Sequence, residues 1–312
     1  MKKIVVTGSL AFDYIMDFPQ SFEENILPDK LKTLSVSFLA HNFSKNFGGV
    51  AGNIAYNLAL LKQQSFILSS AGENDFETYK KHLEKVEVLT HYINEVRNEF
   101  TANMFMITDK NNCQIAGFYP GAMRKDVDLS IEKDTDFVVI APTMPDAMNK
   151  FVNQTKKLGI PYLYDPAQQI PRITKEQLEN GVDGAEILIG NDYELALISK
   201  KTGITKEQLL GKNKIVITTL GEKGSLIEKK SEKYNVGVAK PLKIVDPTGA
   251  GDAYIAGFLT GYLKNLELKV CGQIGATAAV YAIEQYGTQK HKFTIDEFKK
   301  RYVQAFEEMV EL

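Results

Sequence analysis

Positions 246–252 read Asp-Pro-Thr-Gly-Ala-Gly-Asp, a run of small residues ending in an acid. Gly249, Ala250 and Gly251 stand just before a mostly apolar stretch of helical length. The first N–H groups of a helix lack partners within it and face whatever lies in front. With no bulky Cβ nearby, an anion can approach that backbone closely. Such donors stabilise charge developing on a transferring phosphoryl group. Asp252 falls in the first turn beside the anion site, where a carboxylate can take a proton from an attacking hydroxyl. The helix dipole there favours its ionised form. The plainer alternative is a capping acid beside tightly packed glycines. The pattern is not the G-x-x-x-x-G-K-[ST] phosphate loop, and Tyr254 stands where a dinucleotide fingerprint needs its third glycine.

Three further stretches share the character of a turn leading out of or into an element. Gly-Gly-Val-Ala-Gly-Asn at 48–53 is a second glycine-rich helix entry. Gly49 would let backbone approach a substrate, and Asn53 could hydrogen-bond a hydroxyl. Asn191 and Glu194 of Asn-Asp-Tyr-Glu share one helical face and could hold waters around Mg²⁺, which keeps much of its hydration shell. An ordinary helix cap fits them too. Thr-Leu-Gly-Glu-Lys-Gly at 219–224 suits either nucleotide phosphates or a hairpin turn.

The elements that must position these residues follow from periodicity. Short apolar runs at 4–8, 66–70, 137–141, 161–165, 187–190 and 215–219 read as buried strands. Amphipathic stretches at 53–62, 144–158 and 192–200 read as helices between them. Alternating strands and helices predict a mostly parallel sheet covered on both faces, with ligands beyond the carboxyl ends of its strands. Two segments interrupt the alternation, 13–47 and 96–119. A strand-to-helix loop normally takes about 2–6 residues, so these are excursions. The first has an alternating stretch at 31–40 that predicts a strand. The second predicts a hairpin of 101–108 and 113–118 about the turn Asp109–Asn112. Pairing of both excursions into one small sheet would make a lid over one end of the large sheet. The chain from 249 to 312 reads as three helices, the last opened by Thr294 with Glu297 three residues on, a capping box.

Composition narrows the function class. The 312 residues carry 37 Lys plus Arg against 39 Asp plus Glu, a balance that argues against phosphate-backbone binding to nucleic acid. No run of about 18 apolar residues spans a membrane, and the start at 1–3 leaves no room for a signal peptide before the first strand. Two cysteines, Cys113 and Cys271, make no disulfide scaffold. The expectation is a reduced, cytoplasmic, soluble protein. The four histidines (41, 82, 91 and 291) are scattered without zinc-ligand spacing.

The order and spacing of the four motifs resemble the ribokinase-like (PfkB) carbohydrate and nucleoside kinase family over essentially the whole chain. Within it, GSLAFDYIMDFP at 8–19, FYPGAM at 118–123, DPAQQ at 165–169 and YGTQ at 286–289 resemble bacterial adenosine kinases. The resemblance implies a three-layer α/β/α ribokinase-like fold with a mostly parallel central sheet and a small β-sheet lid. The large nucleotide-binding domain would comprise 1–12, 48–95 and 120–312, and the lid 13–47 and 96–119. The implied reaction moves the γ-phosphoryl of ATP to the 5′-hydroxyl of adenosine, giving AMP and ADP. The alternatives are a free sugar such as ribose or fructose, a different nucleoside, or a nucleotide-binding protein without turnover, against which the intact Asp252 stands.

Matched position by position, the resemblance makes Asp252 the catalytic base and Gly249, Ala250 and Gly251 the anion hole. Asp13, Gly49 and Asn53 would hold the ribose hydroxyls. Ser9, Phe118, Gln168 and Gln169 would surround the base, and Arg172 would close over the phosphates. Asn191 and Glu194 would organise phosphate and Mg²⁺, the glutamate through water. Thr219, Gly221 and Gly224 would line the ATP site, with Gly287 near its adenine. Asp246 and Thr248 would help seat a monovalent cation, K⁺ in some relatives. Close relatives place an aromatic ring on the lid strand where this chain has Met104. Phe105 is the alternative, although adjacent strand residues face opposite ways. A second copy could pair through the lid.

Overall fold

The computed structural model describes residues 2–230 and 232–312. The strands in chain order are β1 (Ile4–Thr7), β2 (Ala11–Asp17), β3 (Asn42–Gly48), β4 (Ser65–Leu68), β5 (Ser70–Gly72), β6 (Asn94–Val96), β7 (Ala102–Thr108), β8 (Gln114–Tyr119), β9 (Phe137–Ile140), β10 (Tyr162–Tyr164), β11 (Ile187–Asn191), β12 (Ile215–Thr219), β13 (Ser225–Lys229) and β14 (Glu232–Val236). The helices are α1 (Phe22–Asn25), α2 (Val50–Leu60), α3 (Glu77–Lys85), α4 (Pro145–Leu158), α5 (Lys175–Val182), α6 (Asp192–Thr202), α7 (Lys206–Lys212), α8 (Ala250–Tyr262), α9 (Leu268–Ile283) and α10 (Ile295–Phe306).

The large sheet has the order β14-β13-β12-β11-β10-β9-β1-β4. The strands from β12 to β4 run parallel, and β13 and β14 add an antiparallel edge. Alternation along each strand sends successive side chains to opposite faces. Ile4, Val6, Val139, Ile187 and Ile217 join one buried cluster with α2, α3 and α8. Val5, Val138, Ile140, Leu188 and Val216 join another with α4, α5 and α6. Both faces of these strands are therefore dry, which is why they read as unbroken apolar runs, and the architecture is three layers, α/β/α. The helix at 294 opens on the expected reciprocal cap: Thr294 Oγ1 accepts from Glu297 N, and Glu297 Oε2 from Thr294 N.

A second sheet has the order β3-β2-β7-β8, drawing strands from both excursions. The strand expected at 31–40 is not there. Pro28–Thr33 forms a 3₁₀ turn, and the chain stays irregular until β3 begins at Asn42. The outer edges of β3 and β8 carry no further strand among the described residues, and most of the alternating apolar side chains of 31–40 find no surface to bury against, which a half-buried strand needs. Leu31, Leu34 and Leu39 are left exposed, while Phe38 packs on Phe18 and Phe22. No helix among the described residues is long and apolar enough to cross a membrane.

Candidate active site

The parallel strands end on one side of the large sheet, and the small sheet stands over those ends. Between them lies a cavity of about 600 Å³. Ser9 follows β1, Pro142 follows β9, and Gln168 and Gln169 follow β10; all line it. Asp13, Met104 and Phe118 face it from the small sheet. Register explains this row: Asp13 lies opposite Met104, and Met104 opposite Phe118. One residue along, Tyr14 and Phe105 occupy the other face, their rings stacked with centroids 4.9 Å apart. Met104, and not Phe105, is the β7 residue on the cavity.

The floor is built at two helix starts. Gly49 caps α2 at φ 83°, and a Cβ there would meet Ser9 O at 2.5 Å. Gly48 leaves room for the Asp13 carboxylate, which a Cβ would strike. Ser9 Oγ accepts from Val50 N at 3.1 Å, leaving its own O–H free for a ligand. Gly249 caps α8 at φ 80°. Gly249, Gly251 and Asp252 line the cavity beside Thr248 and Thr288. Asn53 Nδ2 donates to Asp252 Oδ2 at 2.7 Å across the gap between α2 and α8.

Burial dominates at Asp252: it pushes the carboxyl up to about 7, helped by the charge of Asp13, although Asn53 pulls the other way. Asp13 is itself pushed up to about 6, by burial first and by Asp246 second. Among the described residues, Arg172 is the one cation on the wall.

Comparison with known proteins decides the family. Residues 1–294 match the pfkB family of carbohydrate kinases. This chain belongs to that family. It is 31% identical over 304 residues to a nucleoside kinase of Methanocaldococcus jannaschii, covering 96% of this chain and 97% of the other. Among solved structures, the nucleoside kinase of Burkholderia thailandensis in complex with inosine superposes with a TM-score of 0.89 at 28% identity, covering 98% of this chain and 99% of that one. The same enzyme with ADP and inosine gives 0.86 at 28%, over 99% and 97%. The fold is the ribokinase fold, and the protein is a phosphotransferase.

Other residues singled out in this pfkB kinase lie off the cavity wall. Asn191 and Glu194 form a reciprocal cap at the start of α6: Asn191 Oδ1 accepts from Glu194 N and Glu194 Oε2 from Asn191 N, both at 2.8 Å. Asn191 is the register neighbour of Thr219 on β12. Gly221 and Gly224 shape the β12–β13 hairpin turn, which Leu220 N closes onto Gly224 O at 2.8 Å. Asp246 joins two turns, Oδ1 accepting from Thr248 N at 2.9 Å and Oδ2 from Gly287 N at 3.2 Å. Gly287 sits between Asp246 and Asn46. Ala250 begins α8 behind the two glycines that line the cavity.

The sequence reading missed several wall residues: Ala11, Val50, Met123, Pro142, Pro171 and Thr288. Ala11, Val50, Met123 and Thr288 sit inside the quoted stretches at 8–19, 48–53, 118–123 and 286–289, so a signal existed but no role was drawn from it. It also missed Asp165, a buried acid after β10 raised well above the usual carboxylate range by burial, then by the charges of Glu194 and Asp252.

Proposed function

We propose that this pfkB kinase transfers the γ-phosphoryl of ATP to the 5′-hydroxyl of a purine nucleoside, adenosine first among them. One observation carries the reading: the cavity is longer in chemistry than a sugar needs. Asp13, Asn53 and Asp252 gather at the floor, while Met104, Phe118 and Gln169 form a separate apolar and amide-bearing end. Gln169 is 5% exposed and its Oε1 has no partner among the described residues. Such an orphan acceptor suits an N–H on a base edge, and rotation of the amide would serve a 6-oxo group as well. The nucleoside kinases of similar sequence and the inosine-bound relative support the class.

In the proposed reaction Asp13 and Asn53 hold the ribose so that its primary alcohol reaches Asp252. The alcohol oxygen attacks the γ-phosphorus, the bond to the ADP oxygen breaks, and the alcohol proton passes to Asp252. The N–H groups at 249–252 and Arg172 take up charge on the moving group. Thr219, Gly221 and Gly224 hold the nucleotide tail, with Gly287 toward its adenine. We propose 13–47 and 96–119 as a lid over the rest of the chain, excluding the water that would otherwise hydrolyse ATP. Buried Asp165 is raised by the nearby charge of Glu194, while no three acids, histidines or cysteines converge as direct ligands among the described residues. That donor set fits Mg²⁺ held by Glu194 through water, where the ion would neutralise phosphate charge. Asp246, which accepts from Thr248 N and Gly287 N, would with Thr248 help seat a monovalent cation such as K⁺. The exposed outer face of the small sheet, with Phe43 and Phe105, is the surface through which two copies would pair.

A substrate panel with ATP and Mg²⁺ tests the reading. Adenosine and inosine should each release ADP, and ribose and fructose should not. Turnover of free sugars alone would overturn it.

A further inference from the structure

The contact between Asn53 and Asp252 is one end of a longer chain of hydrogen bonds. Tyr79 OH lies 2.6 Å from Gly48 O, Gln289 Nε2 lies 2.6 Å from Tyr79 OH and 2.9 Å from Asn53 Oδ1, and Asn53 Nδ2 lies 2.7 Å from Asp252 Oδ2. Polarity along this chain is set at its far end. A backbone carbonyl can only accept, so the single Tyr79 proton must go to Gly48 O. Tyr79 then has only a lone pair to offer, so Gln289 must present its NH₂ there rather than its carbonyl. The second hydrogen of that NH₂ points at Asn53 and fixes Oδ1 toward Gln289. The Asn53 amide is thereby left with one orientation, NH₂ toward Asp252. Thr288 Oγ1 also reaches Asn53 Oδ1, at 2.7 Å, but its single proton has an alternative acceptor in Phe47 O at 3.0 Å. It cannot fix the amide alone.

We propose that Tyr79 and Gln289 are positioning residues that keep an N–H donor on Asp252 and so keep this base ionisable in the working pH range. The inference rests on the reading of Asp252 as the base. Neither residue lines the cavity. Tyr79 is fully buried, Gln289 is 3% exposed, and the two come from α3 and from the loop before α10. Freed from them, the Asn53 amide can turn its carbonyl to the carboxylate. Two acceptors would then face each other at a hydrogen-bond distance in a buried site, which favours the protonated acid. Of the charged or titratable groups near Asp252, Tyr79 belongs to the chain itself and His82 reaches Gln289 from the same helix; the rest are outside it. Asp13 faces it from the small sheet, with Asp246 behind. Asp165 lies beyond the end of β10, with Glu194 next to it. Arg172 shares the cavity wall.

The test compares Gln289→Met, which keeps the shape and removes both N–H donors, with Tyr79→Phe, which removes only the hydroxyl. For each variant kcat/KM for the nucleoside is measured from pH 5.5 to 9, alongside the melting temperature. Gln289→Met should move the acidic limb up by about one pH unit, a loss of about tenfold below the limb that recovers above it. Tyr79→Phe should move it the same way by less, since Gln289 still has a hydrogen for Asn53. A uniform loss across pH, or an unmoved limb in both variants, overturns the proposal. Asp252→Asn separates the two failures. If it stays active, the reading of Asp252 falls; if it is inactive while neither limb moves, only the positioning role falls.

Discussion

Two carboxyls in this chain sit in similarly hostile surroundings and do different work. Asp252 and Asp126 are both pushed up to about 7, in each case chiefly by burial. Asp126 lies in the 3₁₀ segment Gly121–Asp128 and ties it to two neighbours, accepting from Ser70 N at 2.7 Å and from Thr143 Oγ1 at 2.5 Å. It is fully buried and stands off the wall of the cavity that Asp252 lines. Asp252 accepts a hydrogen bond from Asn53, faces a second acid and opens onto the cavity between the two sheets. A raised pKa therefore marks burial in both places, and access with an unfinished hydrogen-bond shell marks the site in only one.

Removing the charge from Asp252 should break this symmetry most strongly. Asp252→Asn should lose about 10²-fold or more in kcat at every pH, with ATP binding largely kept. Wild-type kcat/KM should climb about tenfold per pH unit below 7 and level above it, because only the ionised carboxyl takes a proton. Stability should move the other way. Both acids titrate in the folded state above their unfolded value of about 4, so their contribution is present below that value and lost as pH rises through about 7. At pH 8 Asp252→Asn should melt a few degrees higher than wild type. A calorimetric scan showing it lower would mean that the ionised carboxylate is held by something other than Asn53.

Asp126 should give the reverse pattern at smaller scale. Asp126→Ala leaves a buried N–H on Ser70 without its acceptor and should cost about 2–3 kcal/mol of unfolding free energy, read by urea titration. Its kcat should stay within a few-fold. Asp126→Asn should recover most of the loss, since the amide can accept from Ser70 and donate to a rotated Thr143 hydroxyl. A large drop in kcat at unchanged stability would move Asp126 from scaffold to machinery.

Of the two carboxyls only Asp252 stands in a legible motif of the sequence, and the boundary has physical causes. The central strands were legible because both of their faces are dry, and Gly49 and Gly249 because each takes a positive φ at a helix start. The stretch at 31–40 misled because alternation makes a strand only where one of its faces is buried, and Leu31, Leu34 and Leu39 stay exposed. For Asn191 and Thr219 the plain geometries weighed beforehand, a cap and a hairpin turn, are both present. The chain from Tyr79 through Gln289 to Asn53 was hidden for another reason. Its links join residues 210 and 236 positions apart, which no local pattern encodes. The same holds for Asp126, whose partners lie 56 and 17 residues away.

The mildest form of the contrast lies one residue apart on β7. Met104 and Phe105 are both apolar and both on a strand of the small sheet, yet Met104 faces the cavity between Asp13 and Phe118, while Phe105 is 47% exposed on the far side. If access rather than residue type makes a site, truncating the smaller side chain should hurt more. Met104→Ala should raise KM for the nucleoside about tenfold, corresponding to the about 1–2 kcal/mol of a soft side chain lost against an aromatic base, with KM for ATP unchanged. Phe105→Ala removes a larger ring and should leave both constants within about twofold, its stacking on Tyr14 being an exposed contact. Equal effects would mean that the small sheet reaches the ligand through its overall position. A larger effect from Phe105 would mean that its outer face is used, and a drop in apparent mass by light scattering would then tie that effect to a paired second copy.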